Sequence, residues 1–168
     1  MDKAVALAPN SLNKCSRGLI LYFSRRYDEA IAQLEQVEET DPDYREAGKW
    51  LTRSYEMNRN YTKALECHLR YKKLIDGASP GEIRAIQSEY EKVGWPGVLR
   101  IMTSPGGVDM NIAEAYAQLG DKDKAFEKLE RAFQDRKLML ILIKRNPRLD
   151  PLRNDPRFDS LLERIGLK

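Results

Sequence analysis

Apolar residues recur along this chain at intervals of three and four, with charged residues between them. That spacing belongs to helices that bury one face and wet the other. Ser11 can N-cap a helix running to about Phe23. A second helix starts near Tyr27 and sets Ala30, Ile31, Leu34 and Val37 on one face. Thr40-Asp41-Pro42-Asp43 ends it, because proline cannot continue a helix. The pattern then comes again. Ala47, Leu51 and Tyr55 stripe one helix; Tyr61, Ala64, Leu65, His68 and Tyr71 stripe the next, which stops at Asp76-Gly77. Ser79-Pro80-Gly81-Glu82 is a capping box opening a helix to about Lys92. Gly94-Trp95-Pro96-Gly97 reads as a turn, and a short helix follows from Val98 to Met102. Ile112, Ala113 and Tyr116 line another helix, and Ala125, Leu129 and Ala132 the one after. Leu138, Leu140, Ile141 and Leu142 predict a short helix ending at Asn146-Pro147. Asp150-Pro151 and Asp155-Pro156 read as N-caps with proline behind. The last helix carries Phe158, Leu161, Leu162 and Ile165, and stops at Gly166.

One phrase punctuates these helices three times. It reads Arg26-Tyr27-Asp28-Glu29-Ala30, then Asn60-Tyr61-Thr62-Lys63-Ala64, then Gly120-Asp121-Lys122-Asp123-Lys124-Ala125. Ala30 and Ala64 are 34 residues apart, and Ala64 and Ala125 are 61 apart, as if one repeat were shortened to 27. Small residues at helix–helix turns every 34 positions resemble a tetratricopeptide array. Further matches are Gly18 and Ala113, Tyr55 and Tyr116, and Pro42; Lys14, Arg17, Thr52 and His68 depart from the pattern. The resemblance implies an all-α, right-handed superhelical solenoid of about four helix pairs, treated as a single domain. Its repeats would be 11–44, 45–78, a degenerate 79–105, and 106–136, with 137–168 as a C-terminal cap. Residues 1–10 read as the end of a preceding repeat, which would make the chain a piece of a longer protein.

Charge narrows the classes. The 168 residues include 29 basic and 26 acidic ones, a net charge of +3, so nothing points to nucleic acid or to a membrane surface as a direct partner. The longest apolar run, Leu138 to Ile143, is far too short for a bilayer span. Cys15 and Cys67 lie outside any CxxC pattern, which favours a reducing cytoplasm over a disulfide framework. No Walker loop, dinucleotide-binding glycine pattern, GxSxG or HExxH is present. His68 has only Glu66 and Cys67 beside it, and adjacent helical residues do not share a face, so no metal set or cofactor is expected.

The tail carries a second resemblance. Asn-Pro-Arg-Leu-Asp-Pro-Leu-Arg-Asn-Asp-Pro-Arg-Phe (146–158) and Leu-Leu-Glu-Arg-Ile-Gly-Leu (161–167) are similar to the C-terminal repeat regions of bacterial multidomain signalling proteins. Those include winged-helix transcriptional regulators, serine/threonine kinases and adenylate cyclases. The likeness implies a non-catalytic role in regulation or signalling, exercised by binding a protein or peptide.

In tetratricopeptide arrays the first helix of each pair lines a concave groove. By that resemblance the groove residues would be Leu12, Leu19 and Tyr22 in the first repeat, Glu46, Lys49, Trp50, Arg53 and Glu56 in the second, and Met110 and Glu114 in the fourth. The lysine/asparagine clamp of members that bind a terminal carboxylate is absent, since Cys15, Leu19 and Trp50 occupy its places. An aromatic at Trp50 with Lys49 and Arg53 beside it suits a peptide bearing apolar and acidic residues. The plainer alternative is that Trp50 packs on the neighbouring repeat and the cations are solvated. Two other functions stay open: self-association through the first repeat as a homo-oligomer seam, and a small-ligand sensor near Tyr90 and Trp95.

Overall fold

The computed structural model describes residues 11–74 and 76–167, which are helical with no strand among them. The α-helices of this described part are, in order, α1 Ser11–Phe23, α2 Tyr27–Thr40, α3 Arg45–Met57, α4 Tyr61–Leu74, α5 Pro80–Val93, α6 Trp95–Met102, α7 Asp109–Leu119, α8 Lys122–Gln134 and α9 Pro156–Ile165. Two 3-10 segments, Leu138–Leu142 and Pro147–Leu152, stand between α8 and α9. The chain divides into two compact units, one ending at Ala85 and one beginning at Ile86. The reading of residues 1–10 as the end of a repeat lies outside the described residues.

In the first unit α1 to α4 each pack on the next, and α1 also packs on α3, as expected when helix hairpins stack. The starts keep the spacing seen in the sequence: α1 and α3 begin one full repeat apart, as do α2 and α4. Gly18 is where the close approach is made. A Cβ there would lie 2.6 Å from Leu34 Cγ, so any side chain would push α1 off α2. The α1–α2 and α3–α4 turns each carry a left-handed arginine, Arg25 at φ 62° and Arg59 at φ 60°. Ser11 is already helical, and its hydroxyl donates to Asp41 Oδ2 at 2.5 Å instead of capping α1. It thereby ties the start of the first hairpin to its exit.

The capping box forms as read: Ser79 N–H donates to Glu82 Oε2 at 2.8 Å, and Glu82 N–H to Ser79 Oγ at 3.3 Å. The expected turn at 94–97 is shorter than that. Gly94 alone turns the chain, at φ 70°, and Trp95-Pro96-Gly97 are the first turn of α6. Gly97 is needed for another reason: a Cβ would sit 2.4 Å from the Glu89 carbonyl oxygen. α6 starts one full repeat after α4, but α8 follows α6 at the shortened interval, so the shortening falls in the second helix of that pair.

The core of the second unit joins Met110, Ala113 and Ala117 of α7, Phe126 and Leu129 of α8, Leu140, Ile143, Leu149 and Leu152 of the 3-10 stretch, and Phe158, Leu161 and Leu162 of α9. Asp155 caps α9, accepting from Arg157 N–H at 3.1 Å, and Gly166 ends it at φ 83°. Asp150-Pro151 does not start a helix as expected. It lies inside the second 3-10 segment, which Asn146 caps by accepting from Arg148 N–H at 3.0 Å. α9 begins one full repeat after α8, and Pro147–Leu152 packs on α7. The tail read as a cap therefore keeps the repeat spacing. Its prolines restrict the first helix of that pair to 3-10 turns.

Candidate partner-binding surface

α1 and α3 bring the groove residues of the first two repeats together, but Tyr22, Trp50, Arg53 and Glu56 are buried. Trp50 is 3% exposed. Its ring meets Tyr22 at 5.4 Å and Phe23 at 5.7 Å, and its Nε1 donates to Glu46 Oε2 at 3.2 Å. Burial of so much aromatic surface favours stacking on the neighbouring helix over waiting for a ligand. The expected aromatic anchor is thus corrected: Tyr22 and Trp50 hold α1 against α3. The Arg53 guanidinium carbon lies 4.9 Å from the Trp50 ring and Lys49 Nζ lies 5.5 Å from it, both in cation–π range. Arg53 and Glu56 are buried as well. Leu12 remains exposed, and Leu19, Glu46 and Lys49 keep part of their surface open.

Met110 and Glu114 do not face an open groove either. The Pro147–Leu152 segment covers that side of α7. Asn146 Nδ2 donates to Glu114 Oε1 at 2.7 Å, and Arg148 Nη1 donates to Glu114 Oε2 at 3.0 Å. Glu114 and Arg148 are each 3% exposed at the side chain, so the pair is dry. Gln118 Nε2 donates to the Arg148 carbonyl at 2.6 Å and holds the segment further down. A dry, doubly bonded carboxylate is a fastening, since a partner would first have to displace Arg148. The signal for it was in the sequence: Glu114 and Arg148 stand one full repeat apart, as do Asp123 and Arg157, and Glu130 and Arg164. The latter two pairs also meet, at 2.8 and 2.6 Å.

Other candidate groups are quiet. Cys15 and Cys67 are buried free thiols; burial pushes their pKa up to about 11 and about 12. Thiols so protonated are poor nucleophiles. His68 is buried, and among the described residues no cluster of His, Cys, Asp and Glu could hold a metal. Trp95 is buried in α6. A shallow cleft that the sequence did not single out is lined by Tyr44, Arg45, Gly48 and Tyr71, with the Glu38–Arg70 ion pair at its edge. No helix among the described residues is long and apolar enough to cross a membrane.

Helix hairpins recurring at 34 residues, with one interval shortened to 27 and small residues where helices meet, define a helical-repeat protein. Residues 15–81 match a tetratricopeptide repeat family model, and residues 110–134 match a second one. Both models describe the tetratricopeptide repeat, so the chain carries tetratricopeptide repeats over those residues. Neither the curated proteins nor the solved structures gave a match.

Proposed function

We propose that the chain is a non-catalytic scaffold that binds a protein or peptide, as the cytoplasmic regulatory module of a larger bacterial signalling or transcription-regulatory protein. Tetratricopeptide repeats generally mediate protein–protein interaction, and the regulatory context rests on the resemblance carried by residues 146–158 and 161–167. The observation that carries the site is the accessible part of the α1–α3 face. Leu12 is 57% exposed there, and Leu19, Glu46 and Lys49 are partly open. Buried Trp50 and Tyr22 stiffen this face from beneath, which lowers the ordering cost of binding. The matching ligand is a segment with apolar residues and acidic ones that Lys49 can meet.

A second reading rests on Ile20. It is 66% exposed and lies two turns from Leu12, giving α1 an outward apolar stripe that suits a second copy of the chain. Photo-crosslinking separates the two. A benzophenone side chain at Leu12 or at Lys49, in bacterial lysate, is expected to yield an adduct with another protein. The same group at exposed Ser160 should yield none. Adducts only between copies of the chain would favour the homo-oligomer, and no position-dependent adduct would sink both.

A further inference from the structure

The apolar run Leu138–Ile143 is divided by its 3-10 winding. With about three residues per turn, positions three apart share a face. Leu140 and Ile143 share the inner one and are buried in the core of the second unit. Leu138 and Ile141 share the outer one and are 77% and 57% exposed; Met139, beside them, is 40% exposed. Three large apolar side chains crowded on one short segment are a different matter from single exposed ones, which need no explanation.

The flanks are mainly basic, with Asp135 the acidic neighbour. Arg136 and Lys137 precede the segment, and Lys144 and Arg145 follow it; all four are exposed. Lys137 Nζ is 3.6 Å from Asp135, and Lys144 Nζ donates to the Leu167 carbonyl, a neutral acceptor, at 2.7 Å. Among the described residues no carboxylate is within ion-pair range of Arg136 or Arg145.

We propose that Leu138, Met139 and Ile141, framed by Arg136, Lys137, Lys144 and Arg145, form a docking surface for an acidic amphipathic segment of a protein partner. The apolar side chains anchor it and the cations select aspartate and glutamate beside the anchors, which governs partner choice and association rate. Protein is favoured over lipid because three side chains on one short segment bury far less than the long apolar face an interfacial helix uses. This surface belongs to the second unit and stands apart from the α1–α3 reading, so each can fail alone.

The test is selection from a random peptide display library on the full chain, with counter-selection on Leu138→Ser/Ile141→Ser. Both positions are exposed, and an unchanged circular dichroism spectrum and urea transition will show the variant folded. Enriched peptides should carry two apolar residues at helical spacing beside Asp or Glu. Their affinity should drop by about tenfold or more on Leu138→Ser/Ile141→Ser, as for a hot-spot loss. It should also drop several-fold on Arg136→Glu/Arg145→Glu and with added salt, but stay unchanged on Leu12→Ser/Lys49→Glu. No enrichment, enrichment insensitive to the 138 and 141 positions, or peptides without acidic residues would overturn the proposal. So would sedimentation with phosphatidylserine vesicles that these variants abolish, which would assign the surface to lipid.

Discussion

Glu114 shows what one residue decides here. A carboxylate in a helix-lined groove is a ligand contact when water reaches it and a fastening when an arginine does. Both of its oxygens are taken, by Asn146 and Arg148. Removing one partner of a dry ion pair leaves a charge without compensation, whereas replacing both with apolar side chains is often tolerated. Arg148→Met should therefore lower the unfolding free energy by about 3–5 kcal/mol, and Glu114→Leu/Arg148→Met should recover much of that. Urea denaturation of the double-mutant cycle reads it; additive losses would mean the pair is not coupled.

The hairpins depend on their turns. Arg25 and Arg59 hold the same place in successive repeats, each at positive φ with its side chain exposed. A later turn of the same kind uses Gly120, at φ 82°. A non-glycine residue in the left-handed region costs about 1–2 kcal/mol, from which glycine's extra chain entropy of about 0.5–1 kcal/mol must be subtracted. Arg59→Gly should then stabilise the chain by about 0.5–1 kcal/mol. A urea midpoint that fell would show that the arginine side chain contributes something the backbone does not. Proline plays the opposite part in the tail. Pro147 and Pro151 hold what would be a first helix to 3-10 turns, and the same winding just before them turns Leu138 and Ile141 outward and Leu140 and Ile143 inward.

At the scale of the molecule, stability is linked to pH through groups held protonated in the fold. Burial lifts Cys15 to about 11 and Cys67 to about 12 from an ordinary value of 9.0, and burial together with the hydrogen bond to Glu35 raises Tyr55. These groups ionise first in the unfolded chain. Their contribution is intact below pH 9 and is lost as pH rises from there towards 11 and 12. The urea midpoint should fall between pH 9 and pH 11, and Cys15→Ala/Cys67→Ala should flatten that fall. An equal slope in the variant would assign the whole effect to the tyrosines. On the acid side, hydrogen bonds from Arg157 hold Asp155 at about 2, so its contribution to stability should be intact above about pH 4 and be lost as pH falls from there towards 2.

The sequence by itself determined the helices, their order, the repeat spacing and the family, because periodicity, capping boxes and turn residues act over a few positions. It placed Gly18, Ser79-Glu82, Asp155 and Gly166 in the roles they hold, most of which need only their neighbours. It left Gly97 and Ser11 misread, since the Glu89 carbonyl and Asp41 reach them only after helices pack. Only the tertiary structure decided which faces stay wet. Trp50 and Tyr22 go inside because α1 meets α3 there, and Glu114 loses its water because a segment one repeat further along supplies Arg148. Helical spacing names a face of each helix, but burial belongs to whatever comes to cover it, and that arrives from elsewhere in the chain.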